Sequence, residues 1–199
     1  IPEGVQTIKR EAFMGCVALS IVHLPDTIKE IGWSAFSGCK SLTSIEIPEG
    51  VEIINESAFK GCIALSNVQL PESVIEIGRC AFSGCKSLTS VMIPDGVQTI
   101  EEKAFEGCTA LESIHLPSTI KNIEPLAFYG TRFQNNQSVY FYIIDERLIY
   151  YGGSESEIFI PEGVKVIGKH VFSGDQNLVS IVIPKSVKEI GESAFSGCK

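Results

Sequence analysis

Seven cysteines and three histidines are the residues of this chain best suited to chemistry. Cysteines at suitable spacings build disulfides or zinc centres, and a histidine beside a carboxylate builds a proton relay. Cys16, Cys39, Cys62, Cys85 and Cys108 follow one another at steps of 23 residues, and Cys198 shares their register. One slot of a stacked repeat sets such side chains in a column, about 4.8 Å from rung to rung. Their Cα–Cβ bonds then run parallel, whereas a disulfide needs crossed geometry. Cys80 and Cys85 lie four residues apart in the intervening sequence, with nothing nearby to complete a tetrahedral zinc site. The spacing therefore predicts a buried, reduced ladder of thiols acting as small apolar residues. Cys80 stands outside the ladder, in a slot held elsewhere by Ser34, Ser57 and Ser193, and is expected at the surface. His23 and His115 share one slot four rungs apart, or about 19 Å at strand spacing. That is too far for a shared metal or a relay, and His170 has no histidine near it in sequence. With no glycine-rich phosphate loop either, the reading is a chain without catalysis, metal or cofactor.

The elements that position these residues are copies of one unit. Pro2, Pro25, Pro48, Pro71, Pro94 and Pro117 mark steps of 23 residues, and Pro161 and Pro184 resume the step after a gap of 44. Six residues beyond each of these prolines lies an isoleucine, from Ile8 to Ile190, and eleven beyond lies a phenylalanine, from Phe13 to Phe195. A glycine follows two residues later, from Gly15 to Gly197. A unit this short cannot bury its own apolar face, so the units must stack. Each buried phenylalanine then contributes about 1.5–3 kcal/mol before chain entropy is counted. A longer period of 46 residues overlies the first: Ile-Pro units at Pro2, Pro48 and Pro94 alternate with Leu-Pro units at Pro25, Pro71 and Pro117.

Within a unit, Leu42-x-x-Ile45-x-Ile47 reads as a short strand ended by Pro48, which lacks a ladder donor. The Val51-x-x-Ile54 segment reads as a second extended stretch, and Ser57-Ala-Phe-x-Gly-Cys62 as a helical or 3₁₀ turn closed by glycine. The Leu-x-x-Ile-x-Ile segment resembles the strand-forming core of leucine-rich repeats. The following Pro-x-x-[Val/Ile]-x-x-Ile-Gly-x-x-Ala-Phe-x-Gly-Cys, seen as P-D-T-I-K-E-I-G-W-S-A-F-S-G-C from Pro25 to Cys39, resembles the BspA-like branch of bacterial and protist surface proteins. The resemblance spans essentially the whole chain. It implies an α/β fold: a right-handed solenoid of 23-residue leucine-rich repeats with one curved parallel sheet and short 3₁₀ or helical turns.

One elongated domain is expected over 1–199, with regular repeats over 1–130 and 161–199 and an irregular stretch over 131–160. In that stretch a β-hairpin is expected, with Val139–Ile144 as one strand, Asp145-Glu146 as the turn and Arg147–Tyr151 as the return. Asp145, Leu148 and Tyr150 match loosely an Asp-x-x-Leu-x-Tyr unit of the BspA-like arrays. Neither end carries a polar capping repeat, and a longer array is the expectation. The net charge of −8 and pI near 5.0 disfavour nucleic acid and anionic membranes as partners. No apolar run is long enough for a transmembrane helix, and no signal peptide is visible.

The positions that vary within the fixed frame are the candidates for binding. Side chains alternate along a strand, so His23, Glu46, Gln69, Met92, His115 and Val182 line an exposed face, beside Ile21, Ser44, Asn67, Ser90, Ser113 and Ser180. In leucine-rich repeats this is the concave face, where partners bind. Tyr140, Tyr142, Tyr150 and Tyr151 cluster in the hairpin, and tyrosine is frequent at binding hot spots. The same rings would equally fill the core where the phenylalanine spine is interrupted. Trp33 is expected at the surface, and Asn55 and Asn136 head glycosylation sequons. The family resemblance implies a cell-surface or secreted adhesion module that contacts matrix proteins such as fibronectin or fibrinogen, or other cells. A passive stalk and a glycan-binding accessory domain are the alternatives.

Overall fold

The computed structural model describes residues 1–133 and 141–199. The chain winds into coils that stack as the proline register requires, each coil having three sides. On the first side lie β3 (Ser44–Glu46), β5 (Asn67–Gln69), β7 (Ser90–Met92), β9 (Ser113–His115), β13 (Glu157–Phe159) and β15 (Ser180–Val182). On the second lie β1 (Thr7–Ile8), β2 (Glu30–Ile31), β4 (Ile53–Ile54), β6 (Glu76–Ile77), β8 (Thr99–Ile100), β10 (Asn122–Ile123), β14 (Val166–Ile167) and β16 (Glu189–Ile190). The third side carries the Ala-Phe-x-Gly-Cys turns.

The two strand sides pair differently. On the second, β4, β6, β8 and β10 form one parallel ladder in which Ile54, Ile77, Ile100 and Ile123 are in register. The first side is not the single continuous sheet expected. Its strands pair in twos, β3 with β5, β7 with β9 and β13 with β15. The reason lies in the longer sequence period. Three isoleucines that precede a proline donate their N–H to the next coil: Ile47 to Gln69, Ile93 to His115 and Ile160 to Val182, each at 3.1 Å. The Leu-Pro units at Pro71 and Pro117 end the first two pairs. The 46-residue alternation thus appears in the fold as paired strands.

The third side also departs from expectation, because its turns are not helical. A helix needs each N–H to point back along its own coil. Here alternate N–H groups point to the following coil: Ser34 to Glu56, Phe36 to Ala58 and Gly38 to Lys60, at 2.7–2.9 Å. The residues between them close tight turns inside the coil: Ala35 to Gly32, Ser37 to Ser34 and Cys39 to Phe36, each at 3.1 Å. This alternation requires left-handed backbone at the first and fifth residues, with φ of 54° at Ser34 and 73° at Gly38. The slot that holds Cys80 is the former of these, and Cys80 is half-buried there at φ 54° rather than freely exposed.

Two columns fill the interior. Phe13, Phe36, Phe59, Phe82, Phe105 and Phe128 stack with ring centroids 5.0–5.7 Å apart, and Phe172 stacks on Phe195 at 5.0 Å. Cys39, Cys62, Cys85 and Cys108 are fully buried, while Cys16 on the first coil is exposed and Cys198 half-buried. Each buried thiol donates to the carbonyl of the phenylalanine in the preceding coil, as Cys62 does to Phe36 at 3.1 Å. That carbonyl lies inside the stack, so the S–H gives a buried acceptor a second partner. Where Thr131 replaces cysteine, its hydroxyl donates to the Phe128 carbonyl of its own coil at 2.7 Å.

The irregular stretch folds as a hairpin. β11 (Phe141–Ile144) runs antiparallel to β12 (Arg147–Tyr151), with a bulge at Tyr142–Ile143. Asp145 and Glu146 both have positive φ, 47° and 61°, the signature of a type I′ turn. β12 then pairs in parallel with β14, setting Leu148 against Ile167, so it stands as a rung of the second side. The hairpin divides the core. Tyr142, Ile144, Ile149 and Tyr150 belong to the cluster of the preceding coils, whereas Phe141, Leu148 and Tyr151 belong to that of the following ones. Tyr150 meets Phe128 edge-on at 5.4 Å and Tyr151 lies against Phe172 at 5.1 Å, so two tyrosines bridge the interrupted phenylalanine column.

Candidate functional site

The alternation of the first-side strands turns one side chain inward and two outward. In β7 the order is exposed Ser90, buried Val91 and exposed Met92. His23, Glu46, Gln69, Met92 and His115 are all exposed, and the parallel register sets Glu46 beside Gln69 and Met92 beside His115. Met92 is 74 % exposed, an unusual position for a long apolar side chain. Beyond the hairpin the column resumes with Phe159 beside Val182, 65 % and 53 % exposed. Phe159 is the residue of this face that the sequence reading passed over. Its place two residues before Pro161, matching Glu46 before Pro48, is the signal that locates it.

A shallow groove of about 530 Å³ runs beside Glu46 and Gln69, lined also by Asp26, Lys29, Glu49 and Pro71. Three carboxylates against one ammonium give it a negative character. Among the described residues no cluster of three or more histidine, cysteine or acidic side chains is arranged to hold a metal.

The hairpin tyrosines are placed differently. Tyr142 is half-buried, and its hydroxyl donates to the Leu116 carbonyl at 3.0 Å. Burial raises the Tyr142 phenol above its ordinary range and raises that of Tyr150 further. Both rings are committed to packing the hairpin on the preceding coils. Tyr140 lies outside the described residues, as does the Asn136 sequon. Trp33 is 54 % exposed, and its indole N–H donates to the Asn55 side-chain oxygen at 3.1 Å. The Asn55 amide nitrogen in turn donates to the Ile31 carbonyl at 2.8 Å, so this sequon asparagine is engaged within the fold.

A second cleft, about 360 Å³, opens on the third side beside the hairpin. Tyr150 and Tyr151 floor it, with Glu124, Leu126 and Tyr129 on one wall and His170, Ser173 and Gln176 on the other. Glu124 faces Lys169 and His170 across it, its carboxylate oxygens 3.4 Å from the Lys169 ammonium and 3.6 Å from His170 Nε2. His170 Nδ1 is buried without a hydrogen-bond partner.

Stacked three-sided coils with two strand sides and an aromatic column define a leucine-rich-repeat solenoid of roughly 23-residue turns. The chain belongs to the BspA-type leucine-rich-repeat family, whose model matches residues 1–91, 32–151 and 76–199 in six copies. It is similar to a leucine-rich repeat protein from Bacteroides ovatus, at 32 % identity over 100 % of this chain and 47 % of that one, with a TM-score of 0.68. A leucine-rich repeat protein from T. pallidum is 29 % identical over 99 % of this chain and 72 % of its own, with a TM-score of 0.57. A leucine rich cell surface protein from Faecalibacterium prausnitzii is 29 % identical over 100 % of this chain and 65 % of its own, with a TM-score of 0.49. The chain spans about half the length of the B. ovatus protein. No curated protein matches it. Among the described residues no helix is long and apolar enough to cross a membrane.

Proposed function

We propose that this chain is a protein-binding module displayed at a cell surface, and that the outward column His23, Glu46, Gln69, Met92 and His115 meets the partner. The observation that carries the reading is the exposure of this column on an otherwise regular frame, with Met92 bare at 74 %. A repeat scaffold presents such a column as one extended surface, and contact summed over many coils gives binding without a deep pocket. The groove beside Glu46 is acidic and the whole chain carries −8, so the matching partner surface is basic. Membership of the BspA-type family supports adhesion to matrix proteins such as fibronectin or fibrinogen as the first partner class to try.

The test is saturable binding of immobilised chain to fibronectin and fibrinogen over a range of salt. Binding that weakens as salt rises, and that is lost in a folded Gln69→Lys/Met92→Glu variant, establishes the face. Unchanged binding by that variant removes the face from the interaction. Absence of binding to any partner favours a spacer role.

A further inference from the structure

The corner between the first and second sides is built differently where the hairpin enters. In regular coils a hydroxyl stitches that corner to the coil before it. The Ser73 hydroxyl accepts from the Gly50 N–H at 3.0 Å and donates to the Val51 carbonyl at 2.9 Å, and Thr27 does the same for Gly4 and Val5. Thr119 donates back to the Val97 carbonyl at 3.1 Å, but no Pro-x-Gly corner follows it until Pro161. β12 enters the second side from the Asp145-Glu146 turn instead. A cavity of about 770 Å³ lies at this corner, within the size range of small-molecule sites. Gly96, Thr119 and Asn122 line it from the preceding coils, and Ile144, Asp145 and Arg147 from the hairpin.

Buried Ile120 and Ile149 and half-buried Ile144 give the cavity an apolar lining. Arg147 is half-buried, and among the described residues its guanidinium has no ion pair and no hydrogen bond. Arginine drawn out of water is ordinarily paired, and its planar fork matches a carboxylate. Asp145 lines the same cavity two residues away, at the tip of the hairpin, and its carboxylate also has no partner among the described residues. Two opposite charges that stand this near and do not close on each other present an anion site beside a cation site. Lys121 and Asp95 add one further charge of each sign from the preceding coils. The lining is therefore balanced, which suits a zwitterion and gives a polyanion no match. We infer that this cavity binds a free α-amino acid with a large apolar side chain. Arg147 takes its carboxylate, Asp145 its ammonium, and the isoleucines its side chain. None of the outward column lines the cavity, so the site is independent of the protein-binding face.

The probe is L-phenylalanine. Its titration into the isotope-labelled chain, followed by amide resonances, is expected to give saturable shifts at Asn122, Asp145 and Arg147. Phenylalaninamide lacks the carboxylate, N-acetylphenylalanine the ammonium and glycine the apolar side chain, and each should bind roughly tenfold more weakly or worse. Arg147→Gln, which keeps much of the stem and loses the charge, should weaken L-phenylalanine by a similar factor. Asp145→Asn should do so too, and asparagine tolerates the positive φ of 47° at this turn position, so the hairpin is kept. No saturable shift at millimolar L-phenylalanine overturns the inference. So does equal binding of the amide, the acetylated form or glycine, or undiminished binding by a folded Arg147→Gln variant.

Discussion

At the scale of single residues, the thiols show how position within the stack sets reactivity. Burial pushes the Cys62 thiol up to about 12 and raises Cys39 as well, so both stay protonated at neutral pH. Cys16, by contrast, is exposed. A thiol reagent added to the native chain at pH 8 should therefore modify Cys16 fast and leave Cys39, Cys62, Cys85 and Cys108 untouched until denaturant is added. Mapping the modified peptides checks this, and fast native labelling of Cys62 would contradict the buried ladder. Glu101 makes a second residue-scale case. Burial raises its carboxyl, and the nearby carboxylates of Glu124 and Glu76 raise it further. A folded-state pKa above the unfolded value means that the native state holds the proton more tightly. Stability from this group is then present at acid pH and declines as pH rises through the folded pKa. Glu101→Gln should raise the urea midpoint at pH 7 and change it less near pH 4; an equal change at both would assign the effect to packing instead.

At the scale of elements, the hairpin is the part that joins unlike things. Its faces serve different cores, and Tyr151 is the ring through which it grips the following coils. Tyr151→Ala should cost about 3–5 kcal/mol, as large buried aromatics do. The loss should fall unevenly: amides of β14 and β16 should lose protection against hydrogen exchange while those of β6 and β8 keep theirs. Uniform loss across the chain would show that the hairpin is no boundary. The turn at Asp145-Glu146 was legible in the sequence, because two polar residues between strand-like runs leave few other folds. The division of the tyrosines was not legible. Tyr150 and Tyr151 are adjacent, and only the bulge and the change of strand direction decide that one faces back and the other forward. The turns over Ser34–Cys39 misled for a related reason. Their local sequence suits a helical turn, but the next coil claims alternate N–H groups, a demand no local pattern states.

At the scale of the whole molecule, the repeat register alone located the coils, the phenylalanine column and the outward face, because each depends on a period that the sequence displays. What the period could not display is where the stack weakens. Between residues 116–133 and the chain from Phe141 onward, the described contacts include side-chain ones: Tyr142 to Leu116, Tyr150 to Phe128, and Lys169 and His170 to Glu124. The core falls into two clusters that divide within the hairpin itself. Trp33 is the sole tryptophan and sits in the first block, so its fluorescence reports that block alone. Unfolding in urea should give a tryptophan transition at higher denaturant than the transition seen by circular dichroism of the backbone. Coincident curves would mean that the two blocks unfold as one.

The divided core has a mechanical side. A tension carried through the coils falls on every junction equally, and it releases the one held by side chains before those held by backbone ladders. The coils on either side of that junction keep their backbone ladders and stay wound. A molecule tethered between two moving bodies would yield in a single step at the hairpin, and the outward column from His23 to His115 would keep its geometry.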